Sequence, residues 1–187
     1  MKFFKLPILG SFRKDEGGFV TVEAIFSVMF LSWWYVASFV FYDVYRQYIA
    51  NVKATYTLGD LISRQAQVDE PWLEGLTDMY GYLTRWRSHS QVRYTSIMWD
   101  ESEDKYIVDW SFSHGTDTPN VRPELQDADL LNYLERLPIL VDGEYVIMVE
   151  SMTEFSTLFE VGIPDMDLQN LVITSPRFAV NVVKVGV

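Results

Sequence analysis

An uninterrupted apolar stretch near the N-terminus is the feature that most limits what this chain can fold into. Phe19–Tyr42 covers 24 residues and contains a single charged side chain, Glu23. As an α-helix with a rise of about 1.5 Å per residue, this stretch reaches roughly 36 Å, enough to cross a hydrocarbon core of about 30 Å with some tilt. The sequence therefore predicts a transmembrane helix over residues 19–42, with the lipid bilayer as one partner of the chain.

The length of this stretch separates a retained helix from a cleaved secretory signal. A signal peptide has an apolar core of about 7–15 residues that is followed by a small-x-small cleavage site. Here the apolar run is longer, and its best match to such a site, Val36-Ala37-Ser38, lies inside the run among aromatic residues. A retained membrane helix is therefore the favoured interpretation.

The charges predict the orientation of the chain. Residues 1–18 carry four basic and two acidic side chains, whereas the rest of the chain has 11 basic and 24 acidic ones. The positive-inside rule then places the N-terminus in the cytoplasm and residues 43–187 in the periplasm, as in a single-pass protein of a bacterial inner membrane. The net charge of −11 also argues against nucleic acid as a partner, because no basic patch is available for phosphates.

Periodicity predicts an α+β fold for the part that follows the span. The apolar spacing continues the first helix to about Ser63, with Gly59 as a position where it can kink or end. The remaining predicted elements are helices at residues 71–87 and 123–137, a hairpin of strands at 91–99 and 106–112, a loop at 114–122, and strands at 144–155, 171–174 and 178–185. Asp69-Glu70-Pro71 predicts the capped start of the first of these helices. The buried stripe predicted for the second consists of Leu125, Leu130, Leu131, Leu134 and Leu137. We expect these helices to pack on an antiparallel sheet in one domain.

No residue set in the chain predicts a metal site. His89 and His114 are the only histidines, there are no cysteines, and closely spaced ligands of the kind that zinc needs are absent from the sequence. Asp100–Asp104 resembles the start of a calcium loop, but Lys105 stands where such a loop needs glycine, and Ser111 where it needs glutamate. A solvated hairpin turn is the better interpretation of this acidic segment.

Enzymatic chemistry has little support either. The sequence contains no Gly-x-Ser-x-Gly motif, no cysteine nucleophile and no glycine-rich phosphate loop. We therefore predict no catalytic residue, no cofactor and no small-molecule substrate.

Glu23 is the residue that needs an explanation. A charged side chain at the centre of a bilayer costs about 2.5–3.5 kcal/mol, and less near the end of a span. The carboxyl group can reach the interface or stay protonated, or it can pair with a positive group of another chain. If the chain were cut between Gly18 and Phe19, the new α-amino group would supply such a charge at the correct depth.

This arrangement resembles the processing site of type IV prepilins. The stretch Glu16-Gly17-Gly18-Phe19-Val20-Thr21-Val22-Glu23-Ala24 is similar to the TadE/TadF/TadG-like pseudopilins of tight-adherence (Flp) pilus systems. The similarity to that family also includes residues 58–65, so it covers residues 15–65 well, and it extends loosely over residues 146–159 and 174–178.

The resemblance implies a role for each residue of this stretch. Gly18 would be the last leader residue, cut by a prepilin peptidase, and Phe19 would be the new N-terminus. Glu23 would bind the terminal amine of a neighbouring subunit or help to position the site. Major Flp pilins usually have an aromatic residue where this chain has Ala24, so the resemblance implies a minor pilin whose partners are other pilin subunits and the pilus assembly platform.

Two other interpretations remain open at this point. The chain could be an unprocessed, signal-anchored periplasmic binding or sensor protein, for which an intact N-terminus and tolerance of Glu23→Gln are expected. A membrane-anchored enzyme is a distant third, because no residue set nominates a reaction.

Overall fold

The computed structural model of the chain describes residues 17–84, 89–115, 121–156 and 164–186. The chain divides into two units, Met1–Tyr42 and Asp43–Val187. Helix α1, Gly17–Ser63, begins in the first unit and ends in the second. The first helix that the sequence predicts is therefore confirmed, and it continues four residues beyond Gly59.

A four-stranded antiparallel sheet forms the centre of the second unit. Its strands are β2 (Ser90–Asp100), β3 (Lys105–Gly115), β4 (Tyr145–Phe155) and β5 (Met166–Thr174), in the order β3-β2-β4-β5. Two short strands, β1 (Gln67–Val68) and β6 (Val183–Lys184), pair in parallel apart from this sheet. The predicted hairpin, the predicted strand at 144–155 and the α+β class are confirmed.

Side chains alternate between the two faces of the sheet, as the twofold period of a strand requires. In β4, Ile147 and Val149 belong to one apolar cluster, whereas Val146 and Met148 belong to the other. The first cluster joins the sheet to α1 and to helix α2, Glu70–Thr84. The second joins the sheet to the segment between β3 and β4. The unit thus has three layers, with the sheet in the middle.

The start of α2 has the capping residues that the sequence predicts. Asp69 Oδ1 accepts a hydrogen bond from the Trp72 backbone amide at 3.0 Å, and Pro71 lies in the first turn, where its missing N–H costs nothing. Leu73, Leu76 and Tyr80 are buried. The predicted end of this helix, at residues 85–87, lies outside the described residues.

The predicted α-helix at Pro123–Leu137 is wrong. Only a 3-10 helix, η1 (Asp127–Tyr133), forms in this segment. A 3-10 helix has about three residues per turn, and of the predicted apolar stripe it leaves Leu131 and Leu134 exposed. Asp127 uses its carboxylate to accept the Val108 backbone amide at 2.7 Å, so contacts with β3 shape this segment more than its apolar spacing does.

The predicted strand at Phe178–Val185 is also wrong, apart from its last part. Bends cover most of the segment, and Phe178 and Val180 are exposed. The Arg177 amide donates to the Ser63 carbonyl at 2.8 Å, which holds the chain at the end of α1. Further along, the Val183 amide donates to the Ala66 carbonyl at 3.1 Å, so the segment follows β1 and does not extend the main sheet.

Gly59 lies where α1 approaches β5 closely. A Cβ atom at this position would be 3.3 Å from Val172 Cγ1, which is tighter than ordinary van der Waals contact. The next residue, Asp60, forms ion pairs with Arg64 (2.9 Å) and Arg177 (3.0 Å). The hydrogen bond from Arg64 is the main reason that the pKa of Asp60 is lowered. Residues 58–65 are therefore in contact with residues 174–178. The contact consists of the close approach of Gly59 to β5 and of the ion pair between Asp60 and Arg177.

A buried polar network joins α1, α2 and β4 on the same face of the sheet. The Tyr80 hydroxyl donates to Asn51 Oδ1 at 2.6 Å, and Thr153 Oγ1 donates to the same oxygen at 2.9 Å. Next along the helix, Thr55 Oγ1 and Ser151 Oγ are 2.6 Å apart. Each of these groups is buried and hydrogen-bonded, so the network avoids the cost of unsatisfied polar atoms.

The buried tyrosines of this face predict a loss of stability at high pH. Burial raises the pKa of Tyr80 and of Tyr94, whose hydroxyl lies 3.2 Å from Thr77 Oγ1. The neutral hydroxyls stabilise the fold fully below the pKa of a free tyrosine, about 10, and this contribution is lost as the pH rises through the raised values. We expect the free energy of unfolding to fall above pH ~10 by about 1.4 kcal/mol per pH unit for each such tyrosine.

Urea unfolding of the detergent-solubilised chain between pH 8 and pH 11 measures this dependence. Tyr94→Phe should make the fall with pH shallower, whereas Tyr82→Phe, which removes an exposed hydroxyl, is the matched control. An identical slope in Tyr94→Phe and in the unmodified chain would contradict the expectation.

Candidate functional site

The three residues of the predicted processing site lie in the first two turns of α1. Gly18 is in the first turn, and Phe19 is 72% exposed. Glu23 follows Phe19 by four residues, so the two lie on one side of the helix, about 6 Å apart along its axis. The structure thus brings Phe19 and Glu23 together on one face.

Glu23 has no hydrogen-bond or ion-pair partner in the part of the chain that the structure describes. Its side chain is exposed, as are those of the residues around it in the helix. Its neighbours at one-turn spacing are Phe19, Val20, Phe26 and Ser27, none of which carries a charge.

The surface around Glu23 is made almost wholly of large apolar side chains. Exposed examples are Val22, Ile25, Phe26, Met29, Phe30, Leu31, Trp33, Trp34, Tyr35, Phe39 and Phe41. Within the described residues, α1 is the one helix that is long and apolar enough to cross a membrane. Only 11% of its most apolar 18-residue segment is buried. A core helix of a soluble protein would be mostly buried, so this surface is compatible with a single-pass membrane protein.

Aromatic side chains pack on one another along this surface. The ring of Phe30 stacks with that of Trp34 at a centroid distance of 6.5 Å, and Tyr35 meets Phe39 edge to face at 4.9 Å. These pairs lie four residues apart, the spacing at which helical side chains meet. The helical spacing therefore brings these rings into contact along the exposed surface.

The histidines do not form a site. No group of three or more His, Asp or Glu side chains that could hold a metal ion occurs among the residues described. His114 lies in β3, not in the predicted loop; its ring stacks with that of Phe112, and Nδ1 is 3.9 Å from Glu74 Oε1. His89 precedes β2 and accepts a hydrogen bond from the Glu154 amide through its carbonyl.

The acidic segment at Asp100–Asp104 is a hairpin turn, as the sequence predicts. Asp100 Oδ1 accepts hydrogen bonds from the Ser102 backbone amide (2.8 Å) and hydroxyl (2.6 Å). The hydroxyl hydrogen bond is the main cause of the lowered pKa of Asp100. Glu103 forms an ion pair with Lys105. Asp100 therefore binds within the turn and Glu103 binds Lys105, which is the arrangement of a closed turn.

Arg93 and Glu150 form a buried ion pair that sequence reasoning missed. They are cross-strand partners on β2 and β4, about 7% and 6% exposed, and Arg93 Nε donates to Glu150 Oε2 at 2.7 Å. Arg93 also donates to the Pro123 carbonyl and to the Tyr133 hydroxyl, both at 2.9 Å. Tyr133 in turn donates to Glu150 Oε1 at 2.8 Å.

This cluster holds the segment between β3 and β4 against the sheet. All three nitrogens of the Arg93 guanidinium and both oxygens of Glu150 have partners, as a buried charge pair requires. Burial, with a smaller contribution from Glu150, raises the pKa of the Tyr133 hydroxyl. The signal available in the sequence was one ionisable residue in the middle of each of two apolar strands.

An open apolar cavity of about 690 Å³ lies between the sheet and the segment that joins β3 to β4. Its lining includes Trp99, Tyr106, Leu130, Leu131, Leu134 and Leu140, together with Asp104, Lys105 and Asp127. Trp99 and Tyr106 meet edge to face at 4.7 Å and form its inner wall. We call this cavity the terminal groove.

The described residues thus form an exposed apolar helix whose Glu23 has no partner among them, followed by a three-layer α+β unit with an apolar groove. Comparison of the chain with family models, with curated proteins and with solved structures found no match. The functional assignment therefore depends on the chemistry of these features.

Proposed function

We propose that this protein is a minor pilin, or pseudopilin, that takes part in the assembly of a tight-adherence (Flp-type) type IV pilus. The observation that carries the proposal is Glu23, the single charge of the apolar stretch Phe19–Tyr42, which lies five positions after Gly18, is exposed and has no partner among the described residues. In this proposal α1 anchors the chain in the inner membrane, with the N-terminus in the cytoplasm and Asp43–Val187 in the periplasm.

Cleavage after Gly18 would create the partner that Glu23 lacks. An α-amino group has a pKa of about 7.7–8.0, so it is largely protonated at neutral pH. Phe19 is one turn from Glu23, and a neighbouring subunit shifted along the helix axis by about that distance would place its amine beside the carboxylate. Pairing two charges offsets part of the desolvation cost that each one incurs alone in lipid.

The apolar surface of α1 supports helix packing in the same assembly. Transmembrane helices associate through van der Waals contact and interhelical polar contacts, because lipid provides no hydrophobic driving force between them. Large exposed rings such as Phe30, Trp33 and Trp34 give an extensive contact area for other helices. The partners of this proposal are the prepilin peptidase, other pilin or pseudopilin subunits, the pilus assembly platform and the bilayer.

The N-terminal residue of the mature protein tests the proposal. We expect N-terminal sequencing of the membrane-fraction protein, from cells with an active prepilin peptidase, to begin at Phe19. The same protein from cells without that peptidase should begin at Met1. Recovery of protein that begins at Met1 from both kinds of cell would contradict the pilin proposal. It would instead support an unprocessed, signal-anchored periplasmic protein.

A further inference from the structure

The terminal groove and Asp43 lie at opposite ends of the second unit. Asn51 contacts Thr153, near the end of β4, whereas Gly59 lies beside Val172 and Thr174, which pair with the start of β4. Helix α1 therefore runs antiparallel to β4 as it moves away from Asp43. The groove is built on Trp99 and Tyr106, next to the start of β4, roughly 26 Å along the strand from Thr153.

Large apolar side chains surround the groove and are exposed to solvent. Ile139 is 99% exposed, and Leu131 and Leu134, which also line the groove, are exposed, as is Val141 next to the lining residue Leu140. Single exposed apolar residues are ordinary, but a contiguous group at the mouth of an apolar groove marks a binding surface. The turn before β4 is fixed by hydrogen bonds, including Gly143 N to the Trp99 carbonyl at 3.0 Å.

Asp104 and Asp127 line the groove, and further acidic side chains lie in the turns next to it. The β2–β3 turn and the turn before β4 are joined by a hydrogen bond from the Glu101 amide to Asp142 Oδ1 at 3.1 Å. Together with the start of η1 they contribute Asp100, Glu101, Glu103, Asp104, Asp127, Asp142 and Glu144. Lys105, the cation of the groove lining, is already paired with Glu103. The groove therefore presents an apolar floor inside a negative rim.

These features select one kind of occupant. A second copy that docks symmetrically, groove against groove, would bring the same negative rim against itself, and an anionic membrane surface would be repelled. A small apolar ligand could fill the interior but would leave Ile139 and Val141 exposed. We propose that the terminal groove docks a segment of a partner protein in which large apolar side chains are flanked by lysine or arginine.

The proposal concerns the second unit and does not depend on cleavage after Gly18. A partner of this kind fits the role of a pilus subunit, but the groove would bind it equally in an unprocessed protein. Failure of N-terminal processing and failure of groove binding are therefore distinguishable results.

Synthetic peptides test the groove with the full chain in phosphatidylcholine nanodiscs. The probe is a fluorescein-labelled Lys-Lys-Gly-Leu-Ile-Phe-Leu-Gly-Lys-Lys peptide, followed by fluorescence anisotropy at low and high salt. Its controls carry glutamate in place of lysine, or serine and asparagine in place of the apolar residues. We expect saturable, salt-sensitive binding of the first peptide and no binding of either control.

Matched variants locate the binding surface. Ile139→Asp and Glu103→Lys should each weaken binding about tenfold or more, since one removes apolar contact and the other reverses the rim charge and leaves Lys105 unpaired. Val180→Asp and Asp78→Lys make the same changes at exposed positions away from the groove and should leave binding unchanged. Unchanged circular dichroism spectra and unfolding midpoints confirm that the variants fold.

Several outcomes would overturn the proposal. These are absence of binding at millimolar peptide, equal binding of the glutamate peptide, or equal binding by the Ile139→Asp and Val180→Asp chains. Self-association that is lost only in Ile139→Asp would identify a second copy of the chain as the occupant. Equally tight binding of a neutral apolar dye with no salt dependence would identify a small apolar ligand.

Discussion

Replacing Gly18 with glutamate is expected to leave residues 1–18 attached to nearly all of the protein in cells with an active prepilin peptidase. If the chain is processed as proposed, the residue before the cut must enter the catalytic site of a membrane protease, next to the apolar start of α1. A charged side chain in such surroundings costs about 2.5–3.5 kcal/mol. Since each 1.4 kcal/mol is a tenfold change in rate, cleavage should slow about a hundredfold. Intact-mass measurement of the membrane-fraction protein gives the ratio of the two forms.

The matched control for this variant is Gly18→Ala. It adds one methyl group and no charge, so cleavage should continue at a rate within about tenfold of the unmodified chain. Efficient cleavage of both variants after residue 18 would show that this position is not read by the peptidase. Cleavage of neither would show that any side chain blocks the site, with size rather than charge as the cause.

Breaking the buried Arg93–Glu150 pair is expected to destabilise the second unit strongly. Arg93→Met leaves Glu150 buried without its main partner and removes the hydrogen bonds to Pro123 and Tyr133. Loss of one member of a buried ion pair costs about 3–5 kcal/mol. Urea unfolding of the detergent-solubilised chain, followed by tryptophan fluorescence, measures this loss.

A double-mutant cycle separates the pair from its surroundings. Glu150→Leu should cost a similar amount, whereas the chain with both substitutions should recover about half of the loss or more, because an apolar pair can replace a buried ion pair. Lys105→Met breaks an exposed pair and should change stability by less than about 1 kcal/mol. Additive losses in the double variant would contradict the coupling, and a small loss in Arg93→Met would show that the charge is better solvated than its burial indicates.

Regular periodicity explains which elements the sequence predicts well. The apolar run from Phe19 and the helical spacing beyond it give α1 to its observed end at Ser63, and the twofold alternation around Val92–Trp99 gives the hairpin. Asp69 and Pro71 mark the start of α2 because their capping chemistry is local. Each of these signals depends on residues that are close in sequence, so it survives without knowledge of the fold.

The elements that the sequence predicts wrongly are shaped by distant contacts. Leu125, Leu130 and Leu137 are buried, as predicted, but by irregular chain and a 3-10 turn that Asp127 and Tyr133 attach to the sheet. The segment after Pro176 follows the end of α1 because Ser63 and Ala66 accept its amides.

The candidate sites also differ in whether their signal is local in the sequence or depends on distant contacts. Glu23 can be singled out from composition alone, since it is the one charge in an apolar helix. The Arg93–Glu150 pair and the terminal groove each join residues far apart in the chain, so they become visible only when the strands are in register.

The polar network on α1 also has a mechanical consequence. Because α1 runs antiparallel to β4, a pull on Asp43 along the helix axis loads the contacts of Asn51 and Thr55 in shear. Contacts loaded in shear must all yield together, whereas contacts that are peeled apart yield one after another. The hydrogen bonds to Ser151 and Thr153 and the close fit of Gly59 against β5 therefore act in parallel as a clamp. A domain held at the end of one long helix gains from this clamp a resistance to tension that its thermodynamic stability alone would not provide.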